Sequence, residues 1–359
     1  MQAPKTTLKD IAQRAGVSLS TVHKALYNKT GISEKVKNEI VEIAAQMGYR
    51  TNYVASSLKR KPIKIAFVMP LPDLALNRFF YQDVWKGLRQ FKPMAQEFNV
   101  EFLEFGFSGP MDQLPKKLEE VYRNAGDDIA GLVTIATEHP AVSYFIDRFL
   151  QKNTAVVFVS SDLAKSERLC CVRGHDTMAG SLAAELLHGF TGGKGSLLIA
   201  AGDPLMSSHY LNVQGFQDFL SEYAPQTKLI KLYGDNNSEK LYEEAAELLR
   251  QDTSISGLYS CNARGTLPLC RAAKLAEHDY QIIGSDLFRE SSELLKDGTL
   301  KAILYKNPQR MAYLACKTIF NYLVKNEFPH RDNIFVSPVA VLKSNLPHYD
   351  HDFSALQDE

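Results

Sequence analysis

The chain has 359 residues, too many for one ordinary domain, and 45% of them are hydrophobic, enough for a sizeable core. Its formal net charge of +0 hides an asymmetry: residues 1–62 carry eleven Lys or Arg against four acids, a net of +7, which leaves −7 for the rest. That is the charge pattern of a polyanion-binding head on a body that binds something else. Five cysteines with no C-x-x-C pair and no His/Cys cluster at zinc spacing argue against a metal site and for a reducing cytoplasm. Neither a run of 18 apolar residues nor an apolar signal core is present, so neither spanning nor export is expected.

The first elements are short helices. In LKDIAQRAGVSLSTVHKAL, Leu8, Ile11, Ala12 and Ala15 share one helical face, Gly16 supplies the positive φ of a tight corner, and Ser18 caps a second helix carrying Val22, Ala25 and Leu26 inward. This is a helix-turn-helix candidate whose second helix suits a DNA major groove, with an ordinary helical hairpin in a core as the alternative. A third helix runs from Ser33, with Glu34 in its first turn and Val36, Ile40, Ile43, Ala44 and Met47 at helical spacing, to Gly48. In the linker YRTNYVASSLKRKP, Asn52 can cap a turn or two containing Val54, Ala55 and Leu58 before Pro62 breaks the chain.

From residue 63 short apolar runs alternate with amphipathic helices: IKIAFVMP, VEFLEF, IAGLVTIA, TAVVFVSS, GSLLIAAG, KLIKLYG, SGLYSCN, YQIIGSD and KAILYK. Buried parallel strands in βαβ units follow, too many for one open sheet. The expected fold is α/β, two doubly wound Rossmann-like lobes with a cleft between them, preceded by a small all-α domain. Ligands in such folds sit at the carboxyl ends of strands. Those ends supply Pro70 to Phe80, Ser160 to Asp162, His209 to Asn212, Asn262, Arg264, Asp286, Lys306 and Asn307. A carboxylate at Asp286 accepts two hydrogen bonds, the Asn262 amide both gives and accepts, and Phe79 with Phe80 offers an apolar wall. TGGKGSLLIA lacks the Ser or Thr that follows Lys in a phosphate loop and reads as a helix-to-strand turn. HDTMAG near Cys171 lacks a base-orienting third group, and Asp176 reads as a helix cap. No catalytic residues and no cofactor are assigned.

LKDIAQRAGVSLSTVHKAL, the third helix and the N-x-x-A-x-x-L of Asn52, Ala55 and Leu58 together resemble, in order and spacing, the head of the lactose-repressor (LacI) family of bacterial transcription factors. The resemblance implies a body like the periplasmic sugar-binding proteins, crossed three times by the chain. It implies domains at 1–50 (helix-turn-helix) and 51–62 (hinge helix and linker), then a two-lobed domain at 63–345. Lobe 1 is expected at about 63–161 and 290–320, lobe 2 at about 162–289 and 321–345, and a flexible tail at 346–359. By the same resemblance Leu19, Ser20 and Lys24 read bases, Ser18, Thr21, Asn28 and Lys29 position the DNA backbone, and Leu58 wedges into the minor groove. Asn262 and Asp286 match the family's ligand asparagine and aspartate, and Phe79, Phe80, Ser160, His209, Asn212, Arg264 and Lys306 complete the expected effector site. The sequence departs from the pattern at His23 and Lys24, usually serine and arginine, and at Asn212, Ser160 and Ala263, so a hexose preference does not carry over. The implied function is a ligand-responsive, dimeric, cytoplasmic repressor binding a pseudo-palindromic operator and a sugar-like effector. The alternative is a metabolite-binding protein or an enzyme that uses the cleft without regulatory DNA binding.

Overall fold

The structure, a computed structural model, describes residues 6–49, 53, 61–72, 78–163, 165–204, 206–234, 237–276 and 278–349. In the head, α1 (Leu8–Ala15) opens with a capping box, the Thr7 amide donating to the Asp10 carboxylate at 2.8 Å, and closes at Gly16 with φ 64. The Ser18 hydroxyl accepts from the Thr21 amide at 3.1 Å to start α2 (Leu19–Leu26). Ser33 caps α3 (Glu34–Gln46), and Gly48 at φ 67 turns the chain away. Ile11, Val22, Ala25, Leu26, Ile40 and Ala44 form the small core at which the three helices meet. The spacing read around Gly16 thus becomes a helical corner. Asn52, Ala55 and Leu58 lie outside the described residues.

The body is two parallel sheets covered by helices on both faces. The first contains β1 (Ile63–Pro70), β2 (Val100–Phe107), β3 (Ile129–Thr134), β4 (Ala155–Val159), β5 (Cys170–Gly174) and β11 (Asn333–Val336), in the order β11-β5-β4-β3-β1-β2. Around it pack α4 (Arg78–Gln96), α5 (Leu114–Ala125), α6 (Pro140–Gln151) and α12 (Pro308–Lys325). The second sheet holds β6 (Ser196–Gly202), β7 (Leu229–Tyr233), β8 (Ile255–Ser260), β9 (Gln281–Ser285), β10 (Ala302–Tyr305) and β12 (Val339–Val341), ordered β12-β10-β9-β8-β6-β7. Its helices are α7 (Asp176–Thr191), α8 (Ser207–Tyr223), α9 (Ser238–Gln251), α10 (Ala263–Leu275) and α11 (Arg289–Asp297). Only the β10–β12 pair is antiparallel among the described strands. In strands such as β1, six successive residues are buried, as befits a parallel sheet covered on both sides.

The lobe boundaries differ from the expected ones. Cys170–Gly174 pairs with β4, Val157 opposite Cys170, and Asn333–Val336 pairs with it in turn, so both belong to lobe 1. Residues 290–305, expected in lobe 1, form α11 and β10 of lobe 2. The chain crosses between lobes after Gly174, after Tyr305 and after Val336. An apolar run says that a strand is buried; it does not say which sheet completes its hydrogen bonds. The first stretch of the expected tail is also structured: Leu346 is 2% exposed in the lobe 2 core, and Tyr349 packs edge-on against Tyr305 with ring centroids 5.8 Å apart. The glycines of TGGKG form the expected turn, Gly192 ending α7 at φ 62.

Candidate effector cavity and recognition helix

The strand ends of both lobes converge on a cavity of ≈ 340 Å³. Its two walls differ in chemistry. Lobe 1 contributes mainly apolar surface: Phe79, Phe80 and Tyr81 from the start of α4, with Met111 and Met311. Lobe 2 contributes the polar groups Asp176, Asp203, His209, Asn262, Arg264 and Asp286, and Lys306 lies at the crossing. Phe79 meets Phe288 of lobe 2 with ring centroids 4.3 Å apart, so the lobes touch at the rim. Such a cavity fits a small molecule with one apolar face and one hydrogen-bonding face.

The charged centre is buried. Asp286 is 3% exposed, sits at φ 61 beyond β9, and its Oδ1 has no hydrogen-bond partner among the described residues. A buried acceptor left open at a cavity wall points to a donor from a bound molecule. The Lys306 ammonium donates to the Cys261 carbonyl at 2.8 Å. Burial alone would lower its pKa, but the carboxylates of Asp286 and Asp176 more than offset that and hold it charged. Burial likewise raises Asp286 and Asp176, with Lys306 opposing in each case and Arg173, 3.6 Å from Asp176, assisting there. His209 accepts from the Asp203 amide through Nδ1 at 3.0 Å, and burial followed by the Lys306 charge pulls its pKa down to about 4. It is therefore a neutral imidazole with its proton on Nε2. Asn262 caps α10 by accepting from the Gly265 amide through Oδ1 at 3.0 Å, and its Nδ2 lies close to Gly202 of the cavity wall.

Of the expected site residues, Phe79, Phe80, Ser160, His209, Asn262, Arg264, Asp286 and Lys306 all line this one cavity. Asn212 does not. It is fully buried between α7 and α8, its carbonyl only 1.8 Å from where a β-carbon on Gly180 would sit. Only its backbone carbonyl faces the helix crossing; its side chain lies beside the buried Tyr259 of β8, inside the lobe 2 core instead of at the cleft. Asp176, expected as a helix cap, does not cap α7. The cap is His175, whose Nδ1 accepts from the Met178 amide at 3.3 Å, and Asp176 is a buried wall residue. Tyr81, Met111, Met206 and Met311 also line the cavity, and methionines and aromatics carry no sequence signal that separates wall from core; Asp203, just beyond the end of β6, lines it too.

On the head, Leu19 is 45% exposed and Ser18, Ser20 and Lys29 are exposed, so the outer face of α2 is open. Thr21, Lys24 and Asn28 are half-buried. Ser18 and Thr21 share a hydroxyl hydrogen bond of 2.8 Å, and the Lys24 ammonium lies 3.2 Å from the β-carbon position of Gly31. His23 stacks on Tyr27 with centroids 4.3 Å apart. No helix among the described residues is long and apolar enough to cross a membrane, and no group of three or more metal-ligating side chains occurs among them.

Comparisons with known proteins divide the chain in the same way. Residues 65–327 match the family profile described as periplasmic binding protein domain, and residues 7–52 match bacterial regulatory proteins of the lacI family. The chain is 29% identical to the ribose operon repressor of Bacillus subtilis over 157 residues, 44% of each protein. It is 21% identical to catabolite control protein A of Priestia megaterium over 298 residues, 80% of this chain and 84% of that one. In the relatives at 29–35% identity the match spans less than half of the relative's length. The fold of GanP, a glucose-galactose binding protein from Geobacillus stearothermophilus, superposes with TM-score 0.68 at 22% identity, covering 80% of this chain and 100% of that one.

Proposed function

Because this chain belongs to the periplasmic binding protein domain family over its body and to the lacI family of bacterial regulatory proteins over its head, we propose that it is a ligand-responsive, sequence-specific DNA-binding repressor. The observation that carries the reading is the union, in one chain, of an exposed recognition helix on a basic head with a cavity shared by two lobes. The effector is a sugar or a related polar metabolite: its hydroxyls donate to the open Oδ1 of Asp286 and accept from the Nδ2 of Asn262, while its apolar ring face lies on Phe79 and Phe80. Ser160, His209, Arg264 and Lys306 set polarity around it. Leu19, Ser20 and Lys24 face base edges, and Ser18, Thr21 and Lys29 hold phosphates, joined by Asn28 through the Nδ2 hydrogen that its bond to Lys325 leaves over.

Two copies bind two half-sites of a pseudo-palindromic operator in the cytoplasm, and an effector that prefers one cleft geometry shifts the spacing of the two heads. The chain is not an enzyme on this reading, and a bound ligand is returned unchanged. The test is selection of genomic DNA fragments on the full chain, followed by binding titration of the enriched fragment. Removing residues 1–62 should abolish that binding while ligands found by thermal shift in a monosaccharide panel still stabilise the body. Asp286→Ala should bind DNA as before and lose the ligand response. Specific DNA binding by the body alone, or an intact ligand response in the aspartate variant, would overturn the assignment.

A further inference from the structure

Among the described residues the head is fastened to the body by side-chain hydrogen bonds at the turn that follows α2. Asn28, at φ 51 just beyond α2, donates from Nδ2 to the Lys325 carbonyl at 3.3 Å. That carbonyl is in the last turn of α12, where helices leave acceptors unpaired. Asn326 caps the same helix at φ 53, with its amide on the Tyr322 carbonyl at 3.0 Å, and returns the contact by donating from Nδ2 to the Asn28 carbonyl. The partners are nearly 300 positions apart in the chain. On the other side of the turn Tyr53 donates to the Leu26 carbonyl at 3.3 Å and sets its ring edge-on to Tyr27, at 5.2 Å.

At its opposite end α12 starts from Asn307 beside the cavity and sends Met311 into the cavity wall. It is bound tightly to α4: a β-carbon on Gly87 would lie 2.2 Å from the Gln309 carbonyl. Its 18 residues span about 27 Å. One helix of lobe 1 therefore touches the ligand cavity at one end and, at the other, the turn that follows the recognition helix.

We propose that the reciprocal Asn28–Asn326 pair clasps the head to lobe 1, making Asn326 a positioning residue for the recognition helix, so that any lobe movement on ligand binding carries that helix directly. The proposal rests on the repressor reading for its consequence and stands apart from it in its geometry. Asn326→Gly keeps the left-handed backbone and deletes the donor; Asn326→Asp also tolerates that backbone but presents an acceptor to the Asn28 carbonyl. In hydrogen exchange on the full chain, both variants should exchange residues 24–31 about tenfold faster than the parent, equivalent to about 1.4 kcal/mol, as expected for losing one hydrogen bond and loosening its neighbour. Residues 114–125 of lobe 1 should be unchanged. Unchanged exchange at 24–31 in both variants overturns the clasp. On the DNA fragment selected by the parent chain, both variants should bind several-fold more weakly, and undiminished affinity overturns the positioning role. If the parent selects no fragment, the repressor reading fails while the exchange result still decides the clasp.

Discussion

His209 is the residue at which burial, hydrogen bonding and charge can be separated by a single measurement. Its Nδ1 is committed as an acceptor to the Asp203 amide at 3.0 Å, and protonation there would break that bond as well as place a cation near Lys306. An unfolded histidine protonates near its usual value of about 6.5. The folded one resists to about 4. Between these values the unfolded chain binds more protons, so stability present above the higher value is lost as pH falls through the interval, by up to about 3 kcal/mol. Denaturant melts at pH 7 and pH 4 should show that loss in the parent and a clearly smaller one in His209→Gln; equal losses would mean that the imidazole is free to protonate in the folded state. His209 was legible because a strand end followed by a helix start is where such folds place ligand groups. Asp176 was not, since an acid in front of an apolar helix reads equally well as a dipole partner, and only the fold shows it turned inward and buried.

Between elements, the tightest contact in lobe 2 is the crossing of α7 and α8, where backbone meets backbone. A β-carbon on Gly180 would lie 1.8 Å from the Asn212 carbonyl, and one on Gly215 would lie 2.0 Å from the Thr177 carbonyl. Ser181 seals the crossing by donating to the Gly215 carbonyl at 3.0 Å. Alanine in place of a mid-helix glycine ordinarily gains up to about 1 kcal/mol of helix propensity. Here the methyl has no side chain to push aside, only main chain, and forced overpacking of this kind costs about 1–3 kcal/mol or more. Gly215→Ala should therefore lower the midpoint of denaturant unfolding, with a net loss of about 2 kcal/mol; a midpoint equal to or above the parent's would mean that the helices separate at little cost. The helices and central strands themselves were readable, because periods of 3.6 and runs of buried Val, Ile and Leu are local properties. Sheet membership was not: Asn333–Val336 pairs with β5, a partner far along the chain, and Cys170–Gly174, although it follows β4 closely, carries no local mark of the lobe whose sheet it joins. The same limit hid the Asn28–Asn326 contact, which no local pattern marks.

At the scale of the whole molecule, the two lobes are joined by three chain crossings and by side chains that bridge them away from the cavity. The Tyr305 hydroxyl at the end of β10 in lobe 2 donates to the Asp83 carboxylate on α4 of lobe 1 at 3.1 Å. Both residues are buried, 7% and 9% exposed, and Lys86 lies 3.0 Å from the same carboxylate, an ion pair that makes the tyrosine's bond charge-assisted. A ligand that prefers the closed cleft works against whatever holds the lobes together without it, and this bond belongs to that resistance or support depending on whether it survives opening. It joins atoms of different lobes beside the crossing after Tyr305, so it resists any opening motion that draws α4 away from the end of β10. Tyr305→Phe removes the donor and leaves Asp83 with Lys86, which avoids stranding an unpaired charge. The loss of a hydrogen bond to a charged group, ~1.5 kcal/mol or more, should shift the closed-to-open ratio about tenfold toward open. Small-angle scattering on the ligand-free chain should then give a larger radius of gyration for the variant, and saturating ligand should restore the parent's value at a higher ligand concentration. Identical scattering curves for parent and variant, with and without ligand, would mean that the hinge strands alone set the angle between the lobes.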